Sequence, residues 1–150
     1  MRTSLRVDSG MTENDQRQNW NRQIIEEFRA NNGVVGGPFE GVPLVLLHTR
    51  GAKSGVEHVN PLARLELDGR VYVFGTNGGR DMNPGWFYNV KAEPHVTVEL
   101  GARSFAAHAT VLEGGDRDRV YAEMASLQPA FAEYAEKVTR VIPVVALDEA

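Results

Sequence analysis

The sequence predicts a mainly β protein, an antiparallel barrel of about six strands with peripheral helices. Three observations carry this. Six segments of strand length are either continuously apolar or alternate apolar with polar residues. They follow one another with no regular βαβ alternation, which removes the parallel-sheet architectures. Helical periodicity is confined to an N-terminal segment, a short aromatic segment and the stretch before the sixth strand.

Composition narrows the class. A length of 150 residues fits one domain large enough to bury a core. With 42% apolar and 24% charged residues, the chain reads as soluble and globular. A net charge of -4 with no long basic run argues against a nucleic-acid partner. The absence of cysteine excludes disulfides, thiolate metal sites and a thiol nucleophile, and fits a cytoplasmic location. No apolar run approaches a membrane span, and the N-terminus lacks the apolar segment of a secretory signal.

Residues 1–15 read as a flexible leader before a single domain over 16–150, with Met11 as an alternative start to Met1. Thr12 or Asn14 is placed to cap a helix running to about Ala30. Trp20, Ile24, Ile25 and Phe28 form its apolar face, and Asn31-Asn32-Gly33 ends it in left-handed conformations. A lid or a membrane-surface contact is the alternative to simple packing. The polar face disfavours the membrane role, since it mixes Glu13, Asp15, Glu26 and Glu27 with Arg17, Arg22 and Arg29. Val34 to Pro43 is a Gly/Pro-rich connection.

The chain is organised around Leu44 to Leu62. Its first part, Leu44 to Thr49, is a continuous apolar run suited to a strand buried on both faces. Arg50-Gly51-Ala52-Lys53-Ser54-Gly55 follows as a turn. It brings two cations and two hydroxyls (Thr49 and Ser54) together on a backbone able to curl around an anion. An ordinary hairpin with solvated charges is the alternative. The second strand spans Val56 to Leu67, and Pro61 within it predicts a bulge or an edge that frees Asn60 for a ligand. Asp68-Gly69 is a two-residue hairpin turn into a third strand, Arg70 to Gly75.

Thr76-Asn77-Gly78-Gly79 then opens a flexible loop. Asn83-Pro84 reads as an N-cap and first-turn proline of a short helix carrying Trp86, Phe87, Tyr88 and Val90, a second possible phosphate cradle. Glu93-Pro94 stops it. Val96, Val98 and Leu100 mark the fourth strand, and Arg103 to Leu112 the fifth. Asp116 is placed to cap a helix to about Ser126. Pro129 starts another, with Phe131, Tyr134 and Val138 on one face, and Val141 to Leu147 is the sixth strand.

Familiar catalytic patterns are missing. The four histidines are scattered without metal-ligand spacing. There is no nucleophile elbow, no Walker loop and no convincing dinucleotide signature. Two glycine-rich loops and an aromatic segment on a barrel suit a large polar cofactor that does the chemistry while the protein orients it.

Several stretches together resemble the deazaflavin-dependent nitroreductase family of actinobacteria. They are Leu47 to Gly55, Asn60-Pro61-Leu62, Gly78-Gly79 with Asn83 to Asn89, Glu93 to Val98, and Arg140-Val141-Ile142-Pro143-Val144. The resemblance covers roughly Trp20 to Leu147. It implies a split β-barrel and an oxidoreductase that binds coenzyme F-420, a deazaflavin with an anionic phospholactyl-oligoglutamate tail. The reduced coenzyme would give a hydride from its C5 carbon to a quinone, nitroaromatic or activated enone. Lys53, Ser54 and Gly55, with Arg50 nearby, match the family's tail-binding loop. Asn60, Pro61 and Leu62 would border the deazaflavin. Thr76, Asn77, Gly78, Gly79, Asn83, Pro84, Trp86 and Asn89 would cradle ring and phosphate, and Tyr134 matches a substrate-side tyrosine. Members often carry lysine near Asn77 and more basic residues around Glu57 and His58, so this tail site is less positive. The alternatives are an FMN enzyme of the same barrel and a non-catalytic carrier of a deazaflavin, flavin or haem-type ligand. The chain is expected to be a monomer or a homodimer.

Overall fold

Two strands with apolar residues on both faces set the architecture. In a strand, successive side chains point to opposite sides. β1 (Leu44–Arg50) sends Val45 and Leu47 into the barrel and Leu44 and Leu46 outward. β6 (Val144–Glu149) sends Val145 and Leu147 inward and Val144 and Ala146 outward. Both are therefore sandwiched between the barrel interior and an outer helical layer. These features come from a computed structural model that describes residues 13–150.

The remaining strands are β2 (Glu57–Leu67), β3 (Arg70–Phe74), β4 (His95–Leu100) and β5 (Arg103–Val111). Around the closed barrel the order is β1-β2-β3-β6-β5-β4, and every neighbouring pair is antiparallel. The helices are α1 (Glu13–Ala30), α2 (Gly85–Ala92), α3 (Gly114–Leu127) and α4 (Pro129–Lys137), with short 3-10 turns at Gly37–Phe39 and Asn77–Gly79. Asp68 and Gly69 both have positive φ, as the two-residue turn between β2 and β3 requires.

Three apolar clusters divide the core. The barrel interior joins Val45, Leu47, Val73, Val98 and Val145 to Trp86, Phe87 and Val90 of α2, which act as a plug. The outer face of β3 and β6 lies under α3 and α4, where Phe74 meets Tyr121 and Phe131 edge-on. The Tyr121 hydroxyl donates to the Phe131 carbonyl at 2.6 Å, and burial pushes its pKa up. The outer face of β1 and β2 lies under α1, through Ile24 and Phe28 against Leu44 and Leu46.

Several local expectations shift. Thr12 and residues 1–12 of the leader lie outside the described residues, and Asn14 sits inside α1 rather than capping it. The sixth strand begins at Val144, not Val141. Pro143 interrupts the ladder, and its carbonyl instead accepts from the Gly75 amide at 2.9 Å. Val141 is exposed while Ile142 is buried in the outer cluster. Asp116 lies in the first turn of α3, whose cap is Glu113. Val138 is the extended residue that ends α4.

One ionic cluster fixes α1 to the barrel. Arg29 donates two bonds to Glu99 on β4, at 3.0 and 2.6 Å. Glu99 Oε2, which Arg29 Nη2 also contacts, meets His48 Nε2 at 2.6 Å, and His48 Nδ1 lies 3.5 Å from Glu57. Arg29 first, and then His48, hold the Glu99 carboxyl below its usual range. A depressed carboxylate pKa stabilises the fold above the unfolded-state value, and the benefit is lost as acid protonates the folded group. Because Arg29 is half exposed, we expect Glu99→Gln to cost about 1–2 kcal/mol in urea titrations near neutral pH. The difference between wild type and variant should shrink as pH falls below the ordinary carboxylate range. A difference that stays constant down to strong acid would refute the assignment.

Candidate active site

The site begins with an imbalance between two strands. β2 pairs with β1 from Glu57 to Ala63, but β3 covers only Arg64 to Leu67. The bonds Gly51 N–H to Val56 C=O and Arg64 N–H to Pro43 C=O set the antiparallel alternation. That alternation turns the backbone polar groups of Glu57, Val59 and Pro61 away from β1, toward the uncovered edge. Pro61 is tolerated for this reason: the N–H it lacks faces the open side, so no ladder bond is lost. The register runs unbroken through Pro61 opposite Leu46, so the feature is an edge and not a bulge.

A cavity of about 820 Å³ opens along this edge. Glu57, His58, Val59 and Asn60 form one wall. Arg17, Gln18, Asn21, Arg22 and Ile25 of α1 form the second. Asn77, Pro84, Gly85, Trp86 and Asn89 form the third. Trp86 thus serves both the barrel plug and the cavity, and is only 5% exposed.

The turn at 51–55 adjoins the cavity without lining it. Asn89 ties the two together: its Oδ1 accepts from the Ala52 amide at 3.0 Å and its Nδ2 donates to Thr49 Oγ1 at 3.1 Å. Arg50 donates to the Gly55 carbonyl at 3.3 Å, and Ser54 Oγ accepts from the Val56 amide at 3.1 Å. Gly55 has φ +72, and a Cβ on Gly51 would meet Ser54 Oγ at 2.5 Å. The backbone at 55 therefore favours glycine, and a side chain at 51 would push Ser54 Oγ off its bond to the Val56 amide. Lys53 is exposed on this turn.

The third wall is held from behind. Arg140 donates to Asn83 Oδ1 at 2.7 Å and to the carbonyls of Thr76 and Arg80 at 3.1 and 2.9 Å. Asp81 answers in the opposite direction. It accepts from the Thr139 hydroxyl at 2.7 Å and from the amides of Thr139 and Arg140 at 2.9 and 3.3 Å. The Thr139 bonds, hydroxyl first, hold the Asp81 carboxyl below its usual range. Asn83 is therefore engaged by Arg140 and is not the cap of α2, whose cap residue is Pro84. Asn77 (φ 50) donates from Nδ2 to the Met82 carbonyl at 3.1 Å, which keeps the turn folded on itself.

Of the residues singled out in the sequence, Asn60, Asn77, Pro84, Trp86 and Asn89 meet at the cavity. Arg50, Lys53, Ser54 and Gly55 sit on the adjoining turn. Pro61 lies on the open edge, and Leu62 packs against the interior cluster. Thr76, Gly78, Gly79 and Asn83 build the wall without lining the cavity. Tyr134 does not line it either. Its half-buried ring rests on Gly79, where an added Cβ would lie 3.0 Å from the ring. The sequence offers α1 as a lid in one alternative, but not its polar wall, nor Gly85, nor the part played by Arg140. The polar stripe at positions 17, 18, 21 and 22 was the available signal for the first.

A family model described as F420H2-dependent quinone reductase matches residues 20–149. An F420H2-dependent quinone reductase of Mycobacterium tuberculosis (strain H37Rv) is 32% identical over 127 residues, covering 80% of this chain and 83% of its own. Among solved structures, an F420-H2 dependent reductase called FDR-A has a TM-score of 0.65 at 37% identity, covering 71% of this chain and 94% of its own. A domain-swapped dimer has a TM-score of 0.66 at 34% identity, covering 88% of this chain and 99% of its own.

Replacing Arg140 tests the wall. Arg140→Met removes three hydrogen bonds and should lower stability by about 2 kcal/mol in urea unfolding. Arg140→Lys should recover only part of this, because one ammonium cannot reproduce the planar fork. Full recovery by lysine would show that only the charge matters.

Proposed function

The chain belongs to the F420H2-dependent quinone reductase family, and on that premise we propose that it transfers a hydride from reduced coenzyme F-420 to a small, electron-poor acceptor of quinone type. The observation that carries the reading is the cavity on the open β2 edge. Its volume lies in the range of sites for large small-molecule ligands. Its donor set fits this coenzyme: strand-edge amide groups and side-chain amides for the polar rim of a flat ring, the Trp86 indole, and cations near an anionic tail. The activity of the family favours a reductase over a non-catalytic carrier or an FMN enzyme.

When bound, the coenzyme supplies the hydride; the protein supplies distance and orientation. Asn60 and the Glu57–Pro61 edge are proposed to hold the ring, with Asn77, Pro84 and Trp86 opposite. Gly85 contributes backbone without a side chain in the way. Asn89 keeps the 51–55 turn in place, and Lys53 with Arg50 meets the tail. Trp86 excludes water from the ring. Tyr134, placed against Gly79, is proposed to donate its hydroxyl proton in a hydrogen bond to the acceptor oxygen as negative charge develops there. The acceptor is a small molecule; membrane contact through α1 is not required, and among the described residues no helix is long and apolar enough to cross a membrane. The assembly is proposed to be a monomer or homodimer.

Titration of the Trp20→Phe protein with oxidised F-420 should change the remaining Trp86 fluorescence, and FMN should bind more weakly. Adding a soluble quinone to the protein with reduced F-420 should oxidise the coenzyme. Binding of FMN or haem without F-420 would reverse the reading. Lys53→Ala should weaken F-420 binding by ~1–3 kcal/mol, less so at high salt. Tyr134→Phe should lower turnover by ~10-fold or more with cofactor affinity barely moved, the mark of a bond formed in the transition state. Turnover within about twofold of wild type, ~0.4 kcal/mol, would make Tyr134 a packing residue.

A further inference from the structure

The two halves of α1 have different work. Its C-terminal half docks on the barrel through Ile24, Phe28 and the Arg29–Glu99 pair. Nearer its start, Arg17, Gln18, Asn21 and Arg22 fall at i, i+1, i+4 and i+5, which places them on one side of the helix. That side forms a wall of the main cavity. None of the four contributes to an apolar cluster. Trp20 stacks at 6.4 Å on Phe39, and with the Arg29 clamp this fixes how the stripe is turned.

The charge of the cavity is local and opposes that of the chain. Two guanidinium groups line it against one carboxylate, Glu57, which itself lies 3.5 Å from His48 Nδ1. The protein as a whole carries -4. Arg22 donates from Nη1 to Asn19 at 3.1 Å, which uses one of its five N–H groups. The guanidinium fork matches phosphate and carboxylate oxygens in pairs. The turn cations Arg50 and Lys53 do not line the cavity, whereas these two arginines do.

We propose that Arg17 and Arg22 form a second anion subsite that binds the phosphate and glutamyl carboxylates of the coenzyme, so that α1 closes over the tail. This rests on the F-420 reading above. The stripe then sets which tail the protein accepts, and it supplies the positive charge that Glu57 and His58 do not.

The test is fluorescence titration of the full chain with two probes. One is F-420 with its oligoglutamate tail. The other is the deazaflavin chromophore with only its ribityl chain, lacking phosphate and glutamates. The Arg17→Gln/Arg22→Gln double variant should bind F-420 about tenfold or more weakly. It should bind the truncated chromophore as wild type does, and the salt dependence of F-420 binding should flatten. The Arg17→Lys/Arg22→Lys variant should retain most of the affinity. Equal losses for both probes would overturn the subsite, because the helix would then be shaping the ring pocket. No loss for either would overturn it too. Failure of the wild type to bind either probe would overturn the coenzyme reading itself, and the subsite with it.

Discussion

The length difference between β2 and β3 governs the rest of the molecule. An eleven-residue strand paired to a five-residue neighbour leaves backbone donors and acceptors with no ladder partner. Buried unpaired groups of this kind are costly, so an edge of this length must be covered, solvated or used. Here α1 and the wall from Asn77 to Asn89 stand off from the edge and leave a cavity. The opening follows from strand geometry and does not depend on any special side chain.

Around it, the supporting contacts run through a few residues with two attachments each. Trp86 belongs to the interior cluster and to the cavity wall. Asn89 joins α2 to β1 and to the 51–55 turn. Arg140 and Asp81 hold their two segments reciprocally, side chain to backbone in both directions. The loops around the cavity are thereby referenced to the barrel.

Much of the fold was legible because strand alternation is a strong signal. The doubly apolar run of β1 announced burial on two faces, and Asp68-Gly69 announced its hairpin. The sixth strand was placed three residues early because Val141 and Ile142 look like strand residues, and only the Gly75–Pro143 bond shows where the ladder begins. Asn83 was read as a cap because local sequence shows the preference of asparagine but not a distant arginine competing for its oxygen. The α1 wall was legible only as the lid alternative, without its residues. A mixed polar stripe on a helix looks the same whether it faces water or a cavity, and only the position of β2 distinguishes the two.

β6 enters the barrel between β3 and β5, both of which precede it in the chain. Until it arrives, each of those strands presents a bare edge, and the interior lacks Val145 and Leu147. A nascent chain emerging from the ribosome therefore holds an incomplete cylinder through most of its synthesis. Its closing contacts span large sequence separations, such as Val71 with Leu147, and these form late and slowly. During that interval the vacant slot would accept an equivalent strand from another copy, so strand exchange during biosynthesis is a hazard built into the topology.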